Sequence, residues 1–208
     1  MILNFNVNFN NYKENILDFY GVWDFKCPCC GALRSFSRHA IYSRNICILS
    51  ADQIIEEKLD ILRLMCNSCK TTHAVLPADT IPYVIYSFSC VMQILTSHFV
   101  EKRSILSIVE QLKISFELIY VFIKRFNQCF KPCVNFLRIF LASQIDYNTP
   151  SKAILTTIHI NFNVIDFQYE YLNFVKSVFL MSRRQHVLSK QMHIGSCFKP
   201  PTQLLNIF

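Results

Sequence analysis

The chain has 208 residues, of which 52% are hydrophobic and 17% charged, and a formal net charge of +7. That balance excludes a disordered chain, and the length holds one ordinary domain or two small ones. The positive bias is compatible with nucleic acid or an anionic membrane surface and selects neither.

The ten cysteines and the opening Met1-Ile2-Leu3-Asn4-Phe5-Asn6, which lacks a basic n-region, point to the reducing cytoplasm. There thiols bind metal or pack in cores. Leu3, Phe5, Val7 and Phe9 alternate with asparagines, a period of two that predicts a half-buried strand. Tyr12 to Tyr20 then reads as a short amphipathic helix with Ile16, Leu17 and Tyr20 on one side.

Two knuckles follow, Lys26-Cys27-Pro28-Cys29-Cys30-Gly31 and Met65-Cys66-Asn67-Ser68-Cys69-Lys70. Each C-x-x-C lets two thiolates converge on one tetrahedral ion, so Cys27, Cys30, Cys66 and Cys69 are the expected ligands of a closed structural Zn2+ site. A redox pair is the alternative for a single C-x-x-C. Two of them with strand-like sequence between favour zinc. Cys29 offers a third sulfur in the first knuckle and is read as a non-ligand. Gly31 supplies the φ > 0 conformation just past the second ligand. The second knuckle has no glycine, which assigns its bend to Asn67 or Ser68.

Between the knuckles, Leu33–Leu49 and Gln53–Met65 are extended in character, with Leu59, Ile61, Arg63 and Met65 on one face and Ser50-Ala51-Asp52 as the turn. A hairpin hung between two metal knuckles is the zinc-ribbon arrangement. Lys26, Arg34, Arg38, Arg44, Lys58, Arg63 and Lys70 are spread over it. They either offset the negative charge of a four-thiolate centre or form a phosphate-binding face. On the second reading Arg34, Arg38, Arg44 and Lys70 are candidate nucleic-acid contacts.

After the second knuckle come Thr71-Thr72-His73-Ala74-Val75-Leu76-Pro77 and Ile81-Pro82-Tyr83. The combination of C-P-x-C-G, a basic hairpin, C-x-x-C, T-H-A-V-L-P and I-P-Y resembles a bacterial zinc-ribbon family of unassigned function, related to the amino-terminal parts of insertion-sequence transposases. The resemblance covers residues 20–90, and Met65 and Asn67 stand where that family more often has charged residues. It implies zinc and a DNA-related role. His73 can ligate by type, but four cysteines make a buried imidazole, hydrogen-bonded between the ribbon and the next segment, the stronger reading.

From Thr80 to Val100 there is no Asp, Glu, Lys or Arg. The run is long enough for a membrane span, yet Ser87, Ser89, Gln93, Thr96, Ser97 and His98 dilute it, which favours a buried core helix over Ser87–Val100.

A helix-turn-helix-like pattern occupies 104–128. Ser104 caps a helix that turns Ile105, Ile108, Val109 and Leu112 inward, Lys113-Ile114-Ser115 is the turn, and Leu118, Ile119, Phe122, Ile123 and Phe126 continue a second helix. A recognition helix reads bases with polar residues near its amino end. This one has Phe116, Glu117, Tyr120 and Val121 there, and the candidate contacts Lys124 and Arg125 arrive later. A purely structural helix pair fits that face at least as well.

Lys131-Pro132 predicts an interruption, with a further short helix over Cys133–Leu141. Asp146-Tyr147-Asn148-Thr149-Pro150-Ser151 reads as a linker. The stretch from Ile158 is ambiguous between strand and helix, and Val164–Gln185 reads as a helix ending in the cations of Arg183 and Arg184. Cys129 and Cys133 with His186 or His193 are weighed as a second metal site against the commoner reading of core cysteines.

Catalytic motifs are missing. Asp146, Asp166 and Glu170 are the only acids after Glu117, too few for the carboxylate cluster of two-metal phosphoryl transfer. No G-x-S-x-G, Walker loop, Rossmann glycine run or H-E-x-x-H occurs.

The sequence therefore predicts an α+β chain. Residues 1–20 form a strand and short helix, 21–80 a four-cysteine zinc-ribbon β-hairpin module, and 81–208 a mainly α-helical domain. The expected function is non-enzymatic: zinc-binding, DNA-binding and mobile-element related, with no small-molecule substrate. The alternative is a protein-interaction module with a purely structural ribbon and a homo-oligomerising helical domain. Membrane anchoring through Thr80–Val100 is the third and weakest expectation.

Overall fold

The computed structural model describes residues 2–4, 9–15, 26–51, 53–181 and 189–190. Parts of the asparagine alternation and of the Tyr12–Tyr20 helix lie outside the described residues. So do residue 52 of the hairpin turn, the cations at 183–184, the histidines at 186 and 193, and the tail.

The architecture is mixed α+β. The strands are β1 (Ile2–Asn4), β2 (Phe36–Ser50), β3 (Gln53–Cys66), β4 (Thr72–Pro77) and β5 (Ser189–Lys190), and they lie in the order β2-β3-β4-β1-β5. β2 and β3 form a long antiparallel hairpin in register from Phe36↔Cys66 to Ser50↔Gln53, shifted once between Arg38 and Ala40. β4 folds back on β3 beside the second knuckle, pairing Leu64 with His73. β1 runs parallel to β4, Leu3 opposite Leu76, which places the amino-terminal strand inside the sheet.

The helix α1 (Phe9–Asn15) begins three residues earlier than the sequence pattern predicts. Its Tyr12 is fully buried; the hydroxyl donates to the Val75 carbonyl at 2.7 Å and accepts from the Leu62 amide at 3.1 Å, so one side chain ties β3 to β4.

The apolar run forms α2 (Phe88–Phe99), capped by Ser87, whose hydroxyl accepts from the Cys90 amide. Phe88, Val91, Met92, Ile94 and Leu95 are all buried, and α2 meets β2 as well as the other long helices. Among the described residues no helix is long and apolar enough to cross a membrane.

α3 (Ile105–Leu112) and α4 (Phe116–Phe140) are capped by Ser104 and Ser115. Lys113 between them takes the left-handed conformation, φ +54°. α5 (Ser151–Asn161) and α6 (Val164–Val175) complete the helical layer. The aromatic side chains of α6 merge with those of α2 and α4: Phe167 stacks on Phe88 at 6.3 Å and meets Phe136 at 5.9 Å and Phe179 at 5.0 Å.

Two local expectations fail and one open reading is decided. α4 does not break at Pro132 but runs through it for 25 residues. An interior proline costs about 3 kcal/mol. Cys133, Val134, Phe136 and Leu137, each fully buried, return more than that together, since full burial of one large apolar side chain is worth about 1.5–3 kcal/mol. The ambiguous stretch at Ile158 is helical, because Ile154, Leu155 and Ile158 fall on one buried face. The last helix stops at Lys176, left-handed at φ +60°, well short of residue 185.

Candidate metal centre

The two knuckles are built alike. In the first, the Cys27 amide donates to the Ala32 carbonyl at 2.8 Å and the Gly31 amide to the Cys27 carbonyl at 2.9 Å. In the second, the Cys66 amide donates to Thr71 at 2.9 Å and the Lys70 amide to Cys66 at 2.8 Å. Gly31 at φ +75° and Lys70 at φ +60° are therefore equivalent. The bend that the sequence assigns to Asn67 or Ser68 is made by Lys70, one residue past the second cysteine, where glycine stands in the first knuckle. A non-glycine residue there carries a modest strain that the closed loop holds.

Because β2 starts after the first knuckle and β3 ends in the second, the Phe36↔Cys66 register sets the knuckles side by side. The Sγ atoms of Cys27, Cys30, Cys66 and Cys69 all lie within 4.8 Å of one another. Cys27 and Cys69 are 3.7 Å apart, Cys30 and Cys66 3.6 Å. A tetrahedron of sulfurs about 2.3 Å from a central ion has edges of about 3.8 Å, so the cluster has the dimensions of a tetrahedral metal site. Cys29 is exposed and outside the cluster; its amide donates to the Cys27 sulfur at 3.4 Å.

The sulfurs differ in their surroundings. Donation from the Thr71 hydroxyl and amide brings the Cys69 thiol down to about 6. Cys66 is lowered too: burial raises it, but the amides of Cys69 and Ser68, joined by the sulfurs of Cys30 and Cys27, together outweigh burial. The Ala32 amide pulls Cys30 down, yet desolvation and the neighbouring sulfurs hold it up, at about 12. The cluster thus forms thiolates readily on the second knuckle and resists losing the last proton on the first. A divalent cation reverses that resistance, so metal uptake releases protons and weakens as pH falls. An all-sulfur donor set selects soft or borderline ions.

His73, 5% exposed, places Nε2 3.4 Å from the Cys27 sulfur, and its ring stands edge-on to Phe36 at 6.0 Å. Against a thiolate, Nε2–H is the donor. Thr71 does the same for Cys69, a role that the sequence marks only by a hydroxyl next to the knuckle.

The cationic candidates divide. Arg34, Arg38 and Lys70 lie on or beside the knuckles and are exposed, as is Lys26. Arg44 is half-buried and donates to the Val84 carbonyl at 2.6 Å, which ties it to the loop before α2. Lys124 and Arg125 sit on α4, Lys124 exposed and Arg125 half-buried. Cys129 and Cys133 are buried and burial raises both thiols, as expected of core cysteines.

The fold and site define a mixed α+β protein with a four-cysteine cluster able to hold one metal ion. A family model described as "Domain of unknown function (DUF6431)" matches residues 27–108, from the first metal cysteine to the middle of α3. No curated protein and no solved structure matches the chain.

Proposed function

We propose that the chain is a non-enzymatic zinc protein of the bacterial cytoplasm that contacts DNA through the metal end of its sheet, in a role related to mobile elements. The observation that carries this reading is the charge layout around the cluster. No acidic residue occurs from Lys26 to Ala51 or from Ile61 to Ala78. The acids of β3 are set back from the knuckles, Glu56 and Glu57 toward the far turn and Asp60 at mid-hairpin opposite Ser43. Lys26, Arg34, Arg38 and Lys70 are exposed around the knuckles. Zinc suits the closed, four-thiolate set. The transposase-like element of the proposal rests on the C-P-x-C-G, C-x-x-C and T-H-A-V-L-P motifs.

A gel-shift titration over salt, with duplex and single strands, tests it. Four cations on phosphates give a log–log salt slope of about −3.6, and Lys70→Gln lowers its magnitude by about 1. No binding at low salt removes the proposal.

A second reading, a protein-interaction module with a purely structural metal site, is favoured by one observation. The amino-terminal turns of α4, where a helix-turn-helix protein would read bases, expose Phe116, Tyr120 and Val121. Apolar and aromatic side chains dominate the first two turns of that face, which suits packing better than base reading, so in either reading α3 and α4 act as a structural pair.

A further inference from the structure

The amino-terminal half of α4 exposes Phe116, Glu117, Tyr120, Val121 and Lys124, one helical face at i, i+1, i+4, i+5 and i+8. The opposite face, Ile119, Phe122 and Phe126, is buried, and α4 packs there with α2, α3 and α6. The exposed apolar residues are 42% (Phe116), 58% (Tyr120) and 42% (Val121) accessible. Charges of opposite sign flank them, Glu117 toward the amino end and Lys124 toward the carboxyl end.

This arrangement is complementary to itself. When two copies of a helix pack antiparallel about a twofold axis, facing positions sum to a constant. With the axis level with Tyr120 and Val121, Glu117 faces the second copy's Lys124 near the middle of the face, and Tyr120 and Val121 lie on either side of that line, each beside its own symmetry mate. The apolar residues lie at the centre, and the two symmetry-related Glu117–Lys124 pairs flank them. No like charges meet.

We propose that this face of α4 is the interface of an antiparallel homodimer. The inference goes beyond the proposed function and does not depend on the metal. It also assigns Lys124 to protein contact.

Sedimentation of the full chain over a concentration series tests it. The expected result is a reversible monomer–dimer equilibrium. V121D abolishes the dimer. K124E sets acidic residues against each other twice and weakens association by at least about tenfold. E117K does likewise by opposing lysines. Mixing the K124E and E117K chains restores dimers, because every facing pair is then of opposite sign. Circular dichroism verifies that each variant is folded, and V121D and K124E decide the matter should E117K, which alters the first turn of α4, fold poorly. A wild-type chain that stays monomeric at every attainable concentration overturns the proposal. So does a dimer indifferent to V121D and K124E, or folded single variants that fail to associate when mixed.

Discussion

The hydrogen bond from His73 to Cys27 makes a quantitative prediction about metal affinity. His73→Phe removes the Nε2–H donor, 3.4 Å from the sulfur, but keeps a flat ring edge-on to Phe36. A hydrogen bond to a charged acceptor contributes about 1.5–3 kcal/mol. At about 1.4 kcal/mol per factor of ten, its loss weakens binding roughly 10- to 100-fold, the range expected when a residue that supports a metal ligand is removed. Competition against a chromogenic chelator measures the change, and Co2+ substitution reports the ligand set. The expected outcome is one ion per chain, affinity lowered within that range, and unchanged sulfur-to-cobalt charge-transfer bands. Unchanged affinity would show that the imidazole does not support the sulfur. An altered cobalt spectrum would show that His73 is itself a ligand.

Cys66→Ser is expected to lose stoichiometric metal by elemental analysis, while Cys29→Ser keeps it, because the Cys29 sulfur lies outside the cluster. Structural zinc contributes on the order of 10 kcal/mol, comparable to the whole stability of a domain, so the Cys66 variant also has a much lower urea midpoint. Pro132→Ala is expected to raise stability by about 1–3 kcal/mol in urea titration, since alanine restores an amide donor inside a continuous helix. A lower midpoint would refute the claim that Pro132 is held there against its preference. Asp79 gives a pH dependence. Burial raises its carboxyl even though the Ser89 amide, at 2.7 Å, and hydroxyl donate to it. A raised folded-state value favours the protonated form, so its stabilisation is full below the ordinary carboxylate range and is lost as pH rises through the raised value. Asp79→Asn retains an acceptor for Ser89 and gains stability relative to wild type between acidic and neutral pH; urea midpoints at the two pH values check it.

What the sequence disclosed depended on whether the cause was local. The cap at Ser104, the turn at Lys113-Ile114-Ser115 and the apolar faces behind them located α2, α3 and the start of α4 nearly to the residue; Ser87 and Ser115 proved to be caps as well. The paired C-x-x-C spacing located the four clustered cysteines. Long-range causes were not legible. Whether a helix continues through Pro132 depends on the packing of Phe136 beyond it against Phe167, Tyr171 and Phe174 of α6. The parallel seat of β1 against β4 depends on residues over 70 positions away. The bend at Lys70 imitates Gly31 only because both loops close with the same pair of backbone hydrogen bonds, a symmetry that one knuckle does not announce.

A short stretch of chain joins the metal centre to the helical layer. From Cys69 the chain enters β4, where His73 meets Cys27 and Val75 accepts from Tyr12. Just beyond β4, Asp79 holds the first turn of α2 through Ser89, and the Thr80 carbonyl accepts from the buried Gln168 of α6 at 3.0 Å. Each contact is modest, but all lie within a dozen residues of a ligand, on a strand buried from His73 to Ala78. α2 in turn packs on β2 and on α3, α4, α5 and α6. A strand held at one end by a metal bound to the cluster and at the other by helices could not shift at either without straining both. An ion bound there would therefore stabilise more than the two turns that bind it: by fixing the register of β4 it would also set where α2 begins.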